Sequence, residues 1–515
     1  MDSSDALRLG FGVAIATAIL GMGTSALADE PRKVSEPTIL SEPAEITQVV
    51  DAFDDTDPFD LNLTLGYQQT WSSATIRRET FIAQPGLSGG GFINDTMNIG
   101  TYSQSTSRLN TRADIGIYKN VALVLRMPII LSDDRKIEGV DGSDKRQSVV
   151  LEGAPGEQLF RLPFNSPTRS GIEYFAVGLD VGVMDQYRDR TKPTWVIGVE
   201  GRFDVSEPMH ACNASPKPLN QPGKQVDCAY PSDINRNGVS GESIYNTPNA
   251  GNLEGTFSGA RKPGVSRGTT GLEAHTFLSK RIKYIEPYGG FRALFEFQSN
   301  SSDYGGTSLK GSLVNHPPLR GSIIMGMSVI PWEVRDQFQR ISFDFRLTGT
   351  YVSEGRDYSE LFDALGSSDA PSIRSANFAE YQPNPDAGTQ GQTPSVVNPN
   401  SQKVYFTGLT DVQQHGVYNL SAQFTWQAGE YVKFNLGGGY TLVQSHFISF
   451  DQACNPEFNG SLQKAGSCKS ISGTRQRATG IPNPNYRAAI NVPGRRFKVD
   501  DSHAFDAWLN ATVMF

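Results

Sequence analysis

The chain has 515 residues, a formal net charge of −8 and no basic tract, which argues against a nucleic-acid partner because phosphates need cationic neutralisation. Hydrophobic residues make up only 38% of the sequence, while Gly (52), Phe (28) and Tyr (18) are plentiful. This hydrophobic content is too low for several soluble domains with large cores. It fits a membrane β-barrel, in which only every second strand residue must be apolar.

The N-terminus is typical of a secretory signal peptide. An apolar stretch runs from Leu9 to Met22, and Ala26-Leu27-Ala28 follows it as an A-x-A cleavage pattern. We therefore expect residues 1–28 to be removed on export. Residues 29–59 are rich in Pro, Glu and Asp and have no period, so they are predicted to form a flexible periplasmic leader. The leader is too polar and short for a good plug, although it could enter a barrel lumen.

From Asp60 onwards, apolar and polar residues alternate in twelve segments. In the clearest segment, Val121 to Leu131, the apolar residues share one face and Arg126 lies on the other. This period of two predicts a strand, and about 9–11 residues span a bilayer at a tilt. The twelve segments begin near Leu61, Leu109, Val121, Phe175, Trp195, Leu272, Ile285, Leu319, Ile341, Tyr418, Val432 and Phe505.

The connections between these segments alternate in length. The short ones are 119–120, 184–193, 280–284, 331–339 and 428–430, and the long ones are 72–107, 132–170, 206–266, 298–317, 353–411 and 445–503. Short periplasmic turns with long extracellular loops are typical of bacterial outer-membrane barrels. Residues 60–515 are therefore predicted to form an all-β, transmembrane, antiparallel up-and-down β-barrel of twelve strands. Fourteen strands are the alternative, if 72–107 or 353–411 contains another hairpin.

The last segment ends on an aromatic residue, Phe515, with apolar residues at every second position before it. This pattern resembles the C-terminal targeting strand of the bacterial outer-membrane β-barrel superfamily. The resemblance implies a location in the cell outer membrane. It also implies two partners, the outer-membrane lipid and the barrel-assembly machinery, and it identifies no specific family.

Charged residues occupy the strand positions that alternate with the apolar ones, and they are predicted to line the lumen. They are Arg108, Arg112, Asp114, Arg126, Asp180, Glu200, Arg202, Glu273, His275, Glu286, Arg292, Glu296, Asp344 and Arg346. A charge facing lipid would cost roughly 2–4 kcal/mol near the midplane, so the barrel requires this parity whatever the residues do. Trp508 also falls on the inward parity.

A polar lining of mixed charge predicts a passive channel or transporter for small polar or amphipathic solutes. The alternative is a plugged structural or surface-interaction barrel that acts through its extracellular loops, with the charges forming a salt-bridge ladder. A third interpretation, a transporter of hydrophobic substrates, requires an apolar pocket and an N-terminal plug. The sequence does not identify the solute.

The histidines form no catalytic motif. The sequence has no H-x-S spacing like that of outer-membrane phospholipases and no H-E-x-x-H. His275 is interpreted as a lumen residue near Glu273. We therefore predict that the chain is not an enzyme.

Two loops carry further features. Cys212 and Cys228 lie in one long loop and Cys454 and Cys468 in another, which favours two local disulfides among three connectivities. Residues 233–238 spell D-x-N-x-N-G, the first half of a calcium-binding loop, but the twelfth position is Ile244. A loop calcium is one interpretation, and a plain solvated loop is the other. The calcium ligands would be Asp233, Asn235, Asn237 and Glu242, and no other cofactor is predicted.

Overall fold

The computed structural model describes residues 44–52, 60–84, 91–140, 158–214, 227–228, 262–299, 302–304, 311–368, 370–374, 406–472, 477–483 and 485–515. Twelve long strands pair antiparallel with their neighbours in the chain, and the last pairs with the first, which closes the barrel. They are β1 Leu61–Gln84, β2 Gly91–Tyr118, β3 Val121–Gly139, β4 Phe175–Met184, β5 Thr194–Phe203, β6 Thr269–Ser279, β7 Ile285–Gln298, β8 Arg320–Val334, β9 Gln339–Val352, β10 His415–Gln427, β11 Val432–Val443 and β12 Phe497–Met514. The predicted fold class and strand number are confirmed.

Alternation along the strands directs apolar side chains outward. On β1, Leu63 and Leu65 are 42% and 55% exposed, whereas their neighbour Asn62 is buried. On β9, Phe343 and Phe345 are likewise exposed. An apolar belt of this extent is the lipid-facing band of a transmembrane barrel. The protein is therefore an outer-membrane β-barrel, and Phe515 lies exposed at its C-terminus.

The first predicted loop, 72–107, is corrected by the structure, because most of it is strand. β1 and β2 stay paired from Leu61↔Ile115 to Gln84↔Gly91. The hairpin lengthens two barrel strands instead of adding two, so the barrel has twelve strands and not fourteen. Its sequence is rich in Ser and Thr because a strand beyond the bilayer needs no apolar face, and hydrophobic periodicity therefore missed it.

The remaining connections follow the predicted alternation. The turns at one end of the barrel are 119–120, 185–193, 280–284, 335–338 and 428–431, with a 3-10 turn at Arg335–Gln337 in the fourth. These short turns mark the periplasmic end. Among the described residues, no helix has the length and apolar character needed to cross a membrane.

At the opposite end, the long loops fold into a structure that we call the cap. It comprises the described parts of 158–174, 353–414 and 444–496 together with the outer ends of β1 to β3. Its helices are α1 Phe362–Gly366, α2 Pro371–Arg374, α3 Leu462–Ala465 and the 3-10 turn Ala488–Ile490. Its short strands are Phe164–Asn165, Arg169–Ile172, Gly355–Asp357, Thr410–Val412, His446–Ser449, Gly460–Ser461, Lys469–Ser472 and Arg477–Pro482. Buried aromatic and aliphatic side chains give the cap a hydrophobic core of its own, which includes Leu361, Phe406 and Phe450.

The four cysteines pair as the sequence favours. Cys212 is bonded to Cys228, within the short strands Cys212–Asn213 and Asp227–Cys228, and Cys454 is bonded to Cys468. The signal peptide at 1–28 and the candidate calcium ligands Asp233, Asn235, Asn237 and Glu242 lie outside the described residues, so both stay predictions. Of the predicted leader, 29–59, the structure describes residues 44–52, and these lie inside the barrel.

Candidate functional site: the barrel lumen

Seven of the predicted lumen residues form one connected cluster on the inner face of β3 to β7, which we call the charged wall. They are Arg126, Asp180, Glu200, Arg202, Glu273, His275 and Arg292. The two glutamates are the centres of the cluster, because both are buried, Glu200 contacts two arginines and Glu273 contacts three. Arg202 lies 3.0 Å from Glu200, and Arg292 lies 3.1 Å from Glu273.

The charges of this wall balance, because three arginines face three carboxylates. His275 Nε2 lies 3.1 Å from the third carboxylate, that of Asp180. Neighbouring opposite charges on one wall cancel each other's field at a distance, so the wall presents a polar surface without a strong preference for either sign.

The other seven predicted lumen residues lie outside this cluster. Arg108 pairs with Glu173, Arg112 pairs with Asp114, and Glu296 pairs with Arg267 at the level of the cap. Nearer the periplasm, Arg346 and Asp344 both contact the Tyr288 hydroxyl. Glu286, also at the periplasmic end, accepts a hydrogen bond from Ser279 Oγ.

The opposite wall, built from β10 to β12 and β1, carries mostly uncharged polar side chains. Asn419 donates to Thr441, and Trp508 Nε1 donates to Gln423 Oε1 over 3.0 Å. The Trp508 indole lies flat on the backbone of Gly437, where a Cβ would be 2.3 Å from the ring. Gly437 therefore makes room for an aromatic side chain inside a lumen that is otherwise narrow.

Residues 44–52 cross the periplasmic end of the lumen, and we call this segment the plug. Its Ala44 nitrogen donates to Glu286 Oε1 over 2.8 Å. Thr47 Oγ1 lies 2.8 Å from Ser279 Oγ. Ala44 and Ile46 pack against Phe277, Tyr288 and Ile324 of the barrel wall. At its other end the backbone of Asp51 lies against Gly116, where a Cβ would be 1.9 Å from the Asp51 carbonyl oxygen.

The plug presents a carboxylate, Glu45, to the barrel wall. Asn435 Nδ2 donates to Glu45 Oε1 over 3.1 Å, and Gln423 Nε2 donates to Oε2 over 2.7 Å. Lys433 Nζ donates to Gln48 Oε1 of the plug over 3.4 Å, and Lys433 attracts the Glu45 carboxylate more strongly than Arg346 or Arg112 does. We call Gln423, Lys433 and Asn435 the carboxylate anchor.

Two cavities follow one another along the lumen. The lower chamber has a volume of about 270 Å³, and Glu45, Gln48 and Val50 of the plug form its floor. The upper chamber has a volume of about 400 Å³, and Tyr358, Ser359 and Glu360 of the cap line it. Both chambers are bounded by β2 and β3, on which Asn110 and Pro128 line the lower one and Arg108 and Ile130 the upper one.

The cap that roofs the upper chamber depends on a buried arginine, Arg356. Its guanidinium donates to the carbonyl oxygens of Val314, Phe450 and Leu409, which belong to three different loops. It also lies over the Phe450 ring, 5.4 Å from the centroid. Because one buried guanidinium donates to carbonyl oxygens of all three, Arg356 holds the three loops together.

Protonation should affect the same part of the cap. Burial raises the pKa of Asp411 to about 8, with Glu354 and Asp451 reinforcing the shift and Arg356 opposing it. A raised carboxyl pKa stabilises the folded cap fully below the unfolded pKa of about 4, and this stabilisation is lost as pH rises towards 8. We expect the protection of 410–412 against hydrogen exchange, relative to the intrinsic exchange rate at each pH, to fall between these pH values, and Asp411→Asn to flatten this pH profile. The same pH profile in wild type and Asp411→Asn would contradict this assignment.

Sequence reasoning allowed the leader to enter the lumen but judged it too polar and short for a good plug, and it missed the carboxylate anchor. Lys433 and Asn435 alternate with the outward Val432 and Phe434, so their inward direction was readable from the same periodicity that located the charged wall. No pattern in residues 44–52 indicates that they enter the barrel. The cap, with Arg356 at its centre, was also missed, because its contacts join loops distant in sequence.

Among the residues that the structure describes, no group of three or more His, Cys, Asp or Glu side chains is placed to hold a metal ion. The His275 ring stacks on Phe277 and contacts carboxylates on the same wall. His275 is therefore one member of the contact network of the charged wall.

No protein-family profile matches the chain, and no curated protein sequence matches it. Among solved structures, it is similar to an outer membrane channel from Pseudomonas putida F1, with 7% identity over 88% of this chain and 95% of that one and a TM-score of 0.32. It is also similar to a FadL homologue from Pseudomonas aeruginosa (9% identity, 95% of each chain, TM-score 0.29). A third is the outer membrane protease OmpT from Escherichia coli (6% identity, 88% of this chain and 97% of that one, TM-score 0.24). At these values, the fold assignment depends on this chain's own strand pairing.

Proposed function

We propose that the protein is a gated passive conduit for small polar solutes across the outer membrane. The observation that carries this proposal is the pair of polar chambers in line along the lumen, one with the plug as its floor and the other lined by the cap. A barrel filled for rigidity alone would pack side chains through its centre, as small barrels do. Here the charged residues pair along the wall and leave space beside them.

The plug is suited to act as the gate at the periplasmic end. Its described hydrogen bonds to the barrel come from a few side chains, and each contributes on the order of 0.5–1.5 kcal/mol net. Ordering each plug residue costs about 1–2 kcal/mol. Because the ordering cost of the plug residues opposes these few hydrogen bonds, a modest free energy suffices to release the plug.

The polarity of the plug, which the sequence analysis took as unfavourable, matches the wall it meets. The donors and acceptors of Glu45 and Thr47 find partners on Gln423, Asn435 and Ser279. An apolar plug would leave those wall groups buried and without hydrogen bonds. Absence of catalysis is part of this proposal. His275, the histidine of the charged wall, contacts the carboxylates of Asp180 and Glu273.

Single-channel conductance in a planar bilayer tests the proposal, with Gly116→Ala as the opening variant. Its added Cβ must displace the Asp51 backbone, so we expect longer and more frequent openings than in wild type. Gly321→Ala is the matched control, because its Cβ would meet nothing within 4 Å. Equal conductance of wild type and Gly116→Ala would show that the plug is not the gate.

If neither wild type nor Gly116→Ala conducts although the barrel is correctly folded, the surface-interaction alternative is favoured. The observation that favours this second function is the cap, because its hydrophobic core gives the extracellular loops a defined shape. A folded cap presents a fixed surface to a partner, as binding loops on a rigid scaffold do. The conductance experiment therefore separates the two functions.

A further inference from the structure

The carboxylate anchor belongs entirely to the barrel wall, although it is occupied by the plug. Gln423 lies on β10, and Lys433 and Asn435 lie on β11, so regular strands hold all three side chains. The two amides donate to different oxygens of the same carboxylate, Gln423 to Oε2 and Asn435 to Oε1. This arrangement selects a planar group with two acceptor oxygens.

Removal of Glu45 would leave the anchor in need of another anion. Lys433 and Asn435 are 6% and 1% exposed. Lys433 Nζ donates to the neutral Gln48 Oε1 of the plug, and among the described residues no carboxylate lies within 4 Å of it, whereas Arg112 and Arg346 each contact a wall aspartate. A buried ammonium without an anion is costly, so the wall favours a replacement for Glu45.

Lys433 of the anchor is accessible from the lower chamber. Glu45 and Lys433 both line this chamber, together with Asn510 and Thr64 of the opposite wall. A carboxylate that entered the chamber would meet Lys433 beside Glu45 and would compete with Glu45 for the anchor. Its organic part would occupy the chamber of about 270 Å³.

We propose that the carboxylate anchor is a binding site for small monocarboxylates, which replace Glu45 and thereby release the plug. This inference rests on the proposed function and names its solute class. Glu45 then acts as a tethered competitor: it keeps the conduit closed until a solute carboxylate takes its place. Binding and opening are coupled because the same donors cannot serve both carboxylates at once.

Trp508 provides a direct readout of the exchange. Its Nε1 donates to Gln423 Oε1, while Gln423 Nε2 donates to Glu45. We would titrate the folded full-length barrel with butyrate, with butyramide as the neutral analogue of equal shape, at constant ionic strength. We expect a saturable change in tryptophan fluorescence with butyrate, none with butyramide, and loss of the signal in Trp508→Phe.

Two variants test the chemistry of the site. Lys433→Met should weaken butyrate binding by at least about tenfold, the usual effect of losing a charged hydrogen-bond partner. Lys192→Met, in an exposed periplasmic turn, is the matched control and should bind normally. Glu45→Gln should tighten butyrate binding, because it weakens the competitor while the wall is unchanged.

A response to butyramide equal to that with butyrate would overturn the inference, as would unchanged butyrate affinity in both Lys433→Met and Glu45→Gln. The failure of the proposed function is separately visible. If butyrate binds as expected but no variant conducts, the carboxylate site is supported and the proposed conduit function is rejected. If the barrel conducts but butyrate gives no Trp508 signal, the conduit function is supported and the carboxylate site is rejected.

Discussion

A disulfide between positions 47 and 279 should lock the conduit shut. In the structure Thr47 Oγ1 and Ser279 Oγ are buried and lie 2.8 Å apart, so the double variant Thr47→Cys/Ser279→Cys places two thiols in bonding reach. Once oxidised, the bond fastens the plug to β6. We expect channel openings to disappear under oxidising conditions and to return when a reductant is added. This all-or-none change would be the largest effect of any variant considered for the plug.

Controls must account for the native disulfides, Cys212–Cys228 and Cys454–Cys468. Wild type treated with the same reductant measures any effect of opening those bonds. The single variant Ser279→Cys measures the effect of the wall substitution alone. If the oxidised double variant still opened as often as wild type, solute would pass without movement of the plug.

Replacing Arg356 with methionine should loosen the cap. The substitution keeps an unbranched side chain of similar reach but removes the donors to Val314, Leu409 and Phe450. Each buried carbonyl left without a donor costs about 1–3 kcal/mol. Three such losses predict cleavage of the cap by a protease that is at least about a hundredfold faster than in wild type, since local opening limits proteolysis.

Limited proteolysis of the protein in lipid vesicles measures this effect, while the barrel itself stays protected by the bilayer. Arg477→Met is the matched control, because Arg477 is an exposed arginine of the same cap. Since Tyr358, Ser359 and Glu360 follow Arg356 closely and line the upper chamber, the variant should also change the conductance of an open barrel. Protease resistance equal to that of wild type would show that the hydrophobic core of the cap is sufficient without Arg356.

The strand pattern was predictable because the bilayer imposes it. Residues that face lipid are apolar, so the positions of Leu63 and Phe343 predict side chains that point outward to the bilayer. By the same rule, Arg126 and Glu273 must point into the lumen. The same rule fails beyond the bilayer. The outer parts of β1 and β2 have no such constraint, and they were predicted as loop although they are paired strands.

The contacts inside the lumen were only partly predictable. Sequence parity placed the fourteen charged residues on one face, and the structure shows which of them are neighbours, such as Arg202 with Glu200 and Glu273. Parity applies equally to Lys433 and Asn435, which sequence reasoning passed over. Glu45 could not be found in this way, because its partners lie almost 400 residues away, 390 in the case of Asn435.

By itself, the sequence determined the class of the protein: an outer-membrane barrel of twelve strands with inward charges and two local cysteine pairs. These features follow from interactions local in sequence, namely alternation along a strand, short turns and nearby cysteines. Only the tertiary structure decided which segments close the lumen. Glu45 meets Gln423, and Arg356 meets Phe450, through contacts that depend on the closed barrel bringing distant segments together. No local sequence pattern encodes these long-range contacts, because any polar segment of suitable length is equally compatible with the strand alternation and turn patterns.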